Sequence, residues 1–142
     1  MTNPERPLPV SSVIKRNRLI SAVFVIAALY DGLLGLSFLF APATVFRWFA
    51  VTPPNHYGYV QFPAALLVVF ALMFAVIAQA PVLNRNLIPF GVLLKASYCG
   101  IVFYYWLTTG TPGMWKPFAV CDFLFMVFFV TAFFMLARQK QD

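Results

Sequence analysis

The sequence predicts an all-α integral membrane protein, a four-helix transmembrane bundle with a short outer interfacial helix. Three observations carry this. Of 142 residues, 62% are apolar and 10% charged, where soluble chains carry roughly a quarter charged residues. Four segments, residues 19–41, 59–80, 87–108 and 114–136, reach the roughly 20 apolar residues that cross about 30 Å of hydrocarbon at 1.5 Å per residue. Eight of the ten Lys and Arg lie outside these segments.

Taken in order, residues 1–18 read as a cytoplasmic tail, residues 19–136 as the membrane domain and residues 137–142 as a second cytoplasmic tail. The first ten residues hold three prolines and little apolar surface, which predicts a mobile segment. Ser11 or Ser12 is placed to cap a turn leading into the first span. That span follows Lys15, Arg16 and Arg18, as a secretory signal would. Its length, the interrupting Asp31 and the proline inside Ala41-Pro42-Ala43 argue against cleavage.

Between spans one and two, residues 42–51 set Val45, Phe46, Phe49 and Ala50 around Arg47 and Trp48, the pattern of a short helix lying on the outer leaflet. Pro53-Pro54-Asn55 ends it, with Asn55 placed to cap span two. Pro63 lies about one turn inside span two, where it is expected to bend the helix. Pro81 ends that span, Asn84 or Asn86 is placed to cap span three, and Gly110-Thr111-Pro112-Gly113 turns the chain into span four.

Orientation follows from charge. Arg6, Lys15, Arg16, Arg18, Arg85, Arg138 and Lys140 fall in the two tails and the second loop, while Arg47 and Lys116 fall in the other two loops. The positive-inside rule therefore predicts both termini in the cytoplasm, in a multi-pass protein of the cytoplasmic (inner) membrane. Trp48, Trp106 and Trp115, joined by Tyr57, Tyr59, Tyr104 and Tyr105, mark the opposite boundary, where amphipathic rings settle. The formal charge of +6 thus edges the membrane instead of forming a water-facing nucleic-acid footprint, and no nucleic-acid partner is expected.

Three ionisable residues lie within spans, and each is costly there: Asp31, Lys95 and Asp122. Counting from the cytoplasmic edge puts Asp31 about 18 Å deep, Lys95 about 12 Å and Asp122 about 21 Å. Helical side chains lean toward their own N-terminus, so Asp31 and Lys95 lean inward and Asp122 outward. Two separate clusters are expected. In the inner one Asp31 meets Lys95, with Tyr98 and Cys99 nearby. In the outer one Asp122 meets Gln61 and Tyr104 or Tyr105. Both are candidates for ligand binding or proton handling; as structural devices they would only fix helix register, with Lys95 free to snorkel to the interface. Ala28, Gly32 and Gly35 are small enough to let a neighbouring helix approach the first.

The remaining chemistry is sparse. His56, the sole histidine, has no cysteine or carboxylate beside it and makes no metal site. Cys99 and Cys121 lie within spans and are expected as free, apolar thiols. The dense phenylalanines of span four, Phe123, Phe125, Phe128, Phe129, Phe133 and Phe134, read as packing and lipid surface. There is no phosphate loop and no Ser/His/Asp set, and no cofactor is indicated.

In its length, its four spans, and a first helix with spaced glycines followed by Phe-Leu-Phe (Gly32, Gly35, Phe38, Leu39, Phe40), the chain resembles the DoxX-like group of small bacterial membrane proteins. The resemblance implies the four-helix membrane architecture. Some members of that group are described as subunits of quinone-linked oxidoreductase systems. With so little chain outside the membrane, the leading expectation is a non-enzymatic protein, an accessory subunit or small-molecule- or lipid-binding module of a larger assembly, with membrane lipids and a protein partner or second copy as its contacts. A proton-coupled transporter built on Asp31 or Asp122 comes second. An intramembrane enzyme on a lipid or quinone, with Asp122 and a tyrosine as acid and base, comes third.

Overall fold

The computed structural model describes residues 10–138; the tail expected to be mobile, residues 1–9, and residues 139–142 lie outside the described residues. Five α-helices follow in order: α1 (Val10–Phe40), α2 (Pro42–Trp48), α3 (Gly58–Gln79), α4 (Ile88–Leu107) and α5 (Trp115–Ala137), with a 3-10 turn over Arg85–Leu87 leading into α4. Four of these, with the 3-10 turn counted into α4, are long and apolar enough to cross a membrane. The chain is therefore an all-α, multi-pass membrane protein. Its helices are the form an apolar chain must take in lipid, where each backbone N–H and C=O has to find its partner within the segment.

The spans begin and end within a residue or two of expectation except at the start. There α1 begins at Val10, nine residues before the expected boundary, so Ser11 and Ser12 lie inside its first turn and residues 10–18 are helix rather than tail. At 31 residues, α1 is about 46 Å long and outreaches the hydrocarbon. The interfacial helix forms as α2, with Pro42 in its first turn and Val45 and Phe46 buried. It closes on Ala50, whose φ of 52° is left-handed, and Val51 N–H then reaches back to Phe46 O at 3.0 Å. Glycine usually fills such a closing position. At the end of α4 it does: Gly110 has φ 88° and donates to Tyr105 O.

The expected caps are different in fact. Asn55 does not cap α3; His56 does the equivalent work, its Nδ1 accepting Gly58 N–H at 3.0 Å. Neither Asn84 nor Asn86 caps α4, which follows directly from the 3-10 turn. Asn84 Nδ2 instead donates to Val76 O at 2.9 Å, tying the loop back onto the end of α3. For Asn84 the reason is local: the short loop holds its side chain beside a carbonyl of the last turn of α3, which has no partner within the helix, and that acceptor wins. Pro63 is accommodated within α3, which continues as one helix through it.

Packing divides the bundle into two close pairs, α1 with α3 and α4 with α5, joined mainly through side chains. Close approach of the first pair depends on Gly35: a Cβ there would stand 2.8 Å from Ala64 O and 3.1 Å from Leu67 Cβ. The buried positions on α1, Ile20, Phe24, Ala27, Asp31, Gly35 and Phe38, recur every three or four residues, as do Ile88, Gly91, Lys95, Cys99 and Val102 on α4. Each helix thus turns one stripe inward. Two apolar clusters result. One, built on Ile20, Phe24, Phe74, Ile77, Ile88, Phe129 and Leu136, fills the end of the bundle that carries Lys15, Arg16, Arg85 and Arg138, here the basic end. The other, built on Phe38, Val45, Phe46, Ala64 and Met114, fills the opposite, tryptophan end.

Candidate functional site

Between the two apolar clusters lies a layer of charge. Lys95, on the inward stripe of α4, is fully buried, and Asp31 on α1 is 1% exposed. The Lys95 ammonium donates to Asp31 Oδ1 at 2.6 Å and Oδ2 at 2.9 Å, and to Asp122 Oδ1 of α5 at 2.8 Å. Three helices are therefore pinned by one nitrogen. All three donors of the ammonium are used, and the groups meet as ion pairs among apolar side chains.

The expected Asp31–Lys95 pair is present, but the two-cluster arrangement is not: Asp122 joins the same ammonium. Lys95 does not snorkel. Measured from the tryptophan ends of their helices, Asp122 stands 7 residues in from Trp115, Asp31 9 residues from Phe40 and Lys95 12 residues from Leu107. These spacings correspond to axial depths of about 10, 14 and 18 Å. To reach both carboxylates the Lys stem must extend toward the tryptophan end, against the usual lean of helical side chains. A fully buried ammonium with two carboxylates in reach gains more from pairing than from following that lean.

The other residues expected near Asp122 are elsewhere. Gln61 Nε2 donates to Leu39 O at 3.0 Å, because the start of α3 packs against α1 and not against α5. Tyr104 and Tyr105 are 62% and 48% exposed on the outer face of α4 and stack edge-on against each other. Tyr98, expected beside Lys95, donates instead to Trp115 O at 3.3 Å, and Cys99 Sγ bonds Ala119 O at 3.3 Å; both bind α4 to the first turns of α5. Cys99 and Cys121 are free thiols, the first buried and the second exposed.

Sequence reading missed Tyr30. Its ring centroid lies 5.2 Å from Lys95 Nζ and packs against Phe118 and Phe125 of α5. Its hydroxyl is the one buried side-chain polar atom among the described residues without a hydrogen-bond partner. Tyr30 also lines a groove of about 350 Å³ between α1, α2 and α5, together with Ser37, Phe38, Trp48, Phe49 and Phe118. The groove thus runs from the interfacial helix at the tryptophan end to Tyr30, whose ring adjoins the charged layer. The available signal was adjacency: Tyr30 precedes Asp31 in the chain. No protein family, curated protein or solved structure matches this chain.

Proposed function

We propose that this protein is a membrane-embedded binding module for an amphiphile, an apolar molecule with a hydrogen-bonding head, and that it serves as a subunit of a larger membrane assembly. The observation that carries the reading is Tyr30, whose hydroxyl is buried without a partner while its side chain lines a groove. A buried hydroxyl left unpaired costs about 1–3 kcal/mol, which a ligand's polar head would recover. The apolar walls of the groove suit a tail, and Ser37, whose hydroxyl donates to Leu33 O at 2.7 Å, still offers acceptor lone pairs along the way. Entry is sideways from lipid, since both ends of the charged layer are closed by apolar clusters. The resemblance to the DoxX-like group supports a head of quinone type. The basic-residue bias supports placing the tryptophan end outside the cytoplasm, with both termini inside.

The test is native mass spectrometry of the protein extracted from its own membrane in mild detergent. A discrete co-extracted amphiphile is expected in addition to bulk lipid. Leu33→Trp, which fills the groove from a position that is 65% exposed, should abolish it, and Tyr30→Phe should reduce it. An unchanged bound mass in Leu33→Trp rejects the reading.

A second reading rests on charge balance. Two carboxylates share one ammonium, so the fully ionised cluster carries one negative charge too many for hydrocarbon, and uptake of a single proton makes it neutral. That is the minimum equipment of a proton-coupled carrier. Proteoliposomes distinguish it: a carrier gives proton flux that Asp122→Asn removes, whereas a binding module gives none.

A further inference from the structure

The loop between α3 and α4 is shaped around one arginine at the basic end. Asn84 N–H donates to Ala80 O at 3.0 Å and Asn84 Nδ2 to Val76 O at 2.9 Å, while Leu87 N–H closes on Asn84 O at 3.0 Å. Held between these bonds, Arg85 crosses to α5. Its Nε donates to Phe133 O at 2.9 Å, and its guanidinium carbon lies 3.9 Å above the centre of the Phe133 ring. Both contacts use the inner part of the guanidinium. The two terminal nitrogens make no hydrogen bond to any described residue, yet the group that carries them is held by the Phe133 carbonyl and ring.

The surroundings set the sign of what those nitrogens face. Arg138 follows the end of α5, five residues beyond Phe133, a rise of about 7.5 Å. Lys15, Arg16 and Arg18 occupy the turns of α1 that outreach the other helices, and Ile20 packs in the same cluster as Leu136 near the end of α5. Among the described residues this end has no carboxylate; the two described acids, Asp31 and Asp122, are both engaged by Lys95. Cations gathered at the lipid boundary attract anionic headgroups. Attraction alone would be diffuse. A guanidinium held by a carbonyl and a ring is not diffuse, because its remaining nitrogens present a planar fork that matches two phosphate oxygens.

We propose that Arg85 is the centre of a specific site for one anionic glycerophospholipid in the leaflet at the basic end, its phosphate gripped by the terminal guanidinium nitrogens and its acyl chains lying along α5. Arg138 contributes charge to the same headgroup. The site is distinct from the Tyr30 groove in residues, in position and in ligand, so each stands or falls separately.

The experiment is lipid titration of the full-length, delipidated protein by native mass spectrometry, with phosphatidylglycerol and, as the lipid without a phosphate, diacylglycerol of matched chains. The wild-type protein is expected to take up one phosphatidylglycerol with about tenfold preference, the factor that one charge-assisted hydrogen bond supplies. Arg85→Ala should bring the preference close to unity. Arg85→Lys, which keeps the charge and the fold but not the fork, should lose most of it as well. Lys15→Gln, which removes a charge from the exposed first turns of α1, should leave it unchanged. Equal uptake of the two lipids by the wild-type protein overturns the proposal. So does full preference in Arg85→Lys, or a loss in Lys15→Gln equal to that in Arg85→Ala, since either would mean that net charge alone selects the lipid.

Discussion

Removing the ammonium at the centre of the charged layer is the most severe small change the fold allows. Lys95→Met keeps the stem and the volume but leaves Asp31 and Asp122, 1% and 6% exposed, facing each other without a counter-ion. Breaking a buried ion pair from one side costs about 3–5 kcal/mol, and here two pairs lose the same partner. Asp31→Asn leaves Lys95 still paired with Asp122, and Asp122→Asn leaves it paired with Asp31, which holds two of the three bonds. The expected order of damage is therefore Lys95→Met, then Asp31→Asn, then Asp122→Asn. In a chain of this size about 3–5 kcal/mol corresponds to a fall of roughly 10–20 °C in melting temperature, readable by tryptophan fluorescence in detergent. The combined variants carry the argument. Asp31→Asn with Lys95→Met still strands Asp122 and should recover only a fraction of the loss. The triple variant, with all three charges gone, should be more stable than Lys95→Met alone, because each removal cancels a cost created by another. If losses simply add from single to double to triple variant, the three side chains do not act on one another and the charged layer is not a single energetic unit.

Other outcomes follow from local geometry. Gly35→Ala places a methyl 2.8 Å from Ala64 O and should cost about 1–3 kcal/mol by forcing α1 from α3. Gly100→Ala, with nothing within 4 Å of its Cβ position, should be neutral or stabilise α4 by up to about 1 kcal/mol; thermal melts of the two side by side test the contrast. Ala50→Gly relieves the left-handed residue after α2 and should raise stability by roughly 0.5–1 kcal/mol, whereas a loss would mean that the Ala50 methyl contributes more than its backbone costs. Intact mass after alkylation in denaturant without reductant should show both Cys99 and Cys121 labelled, and a mass two hydrogens low with no label would reveal a bridge instead. Labelling of a single cysteine added after residue 142 should occur only from the cytoplasmic side; labelling from outside would reverse the orientation.

The four spans were legible because membrane insertion rests on length and composition, which survive without any knowledge of packing. The same uniformity hid the contacts. Every face of each span is apolar, so the inward stripe is not marked by hydrophobicity as it is in a soluble helix. It becomes visible only through its exceptions: Asp31, Lys95 and Asp122 all fall on it. That made the residues legible and their meeting only half so. Depth counting assumes upright helices and short side chains. An error of a few ångströms, added to a lysine's reach, turned one cluster into an expected two. Gln61 was assigned to the wrong neighbour because it lies toward the same end of the bundle as Asp122, while the pairing of α3 with α1 rather than α5 is a property of the whole bundle.

The position of the charged layer also limits how any ligand can reach it. Above it Phe38, Val45, Phe46 and Met114 close the tryptophan end; below it the rings of Phe24, Phe74 and Phe129 pack together, with centroids 4.6 to 6.0 Å apart. Lys95 lies within 6.0 Å of the Phe74 centroid and 5.5 Å of the Phe125 centroid, so rings also flank the ammonium and share in its stabilisation. An aqueous path along the bundle axis would have to force open one of these clusters. A lateral path does not, because the groove along α1, α2 and α5 already reaches Tyr30, whose ring centroid lies 5.2 Å from the ammonium. A bulky residue at Leu33 therefore separates the two routes: it should exclude a membrane-dissolved ligand while leaving the stability of the Asp31–Lys95–Asp122 layer intact. If Leu33→Trp lowered the melting temperature as far as Lys95→Met does, groove and layer would be one packed core, and lateral entry past Tyr30 would have no structural basis.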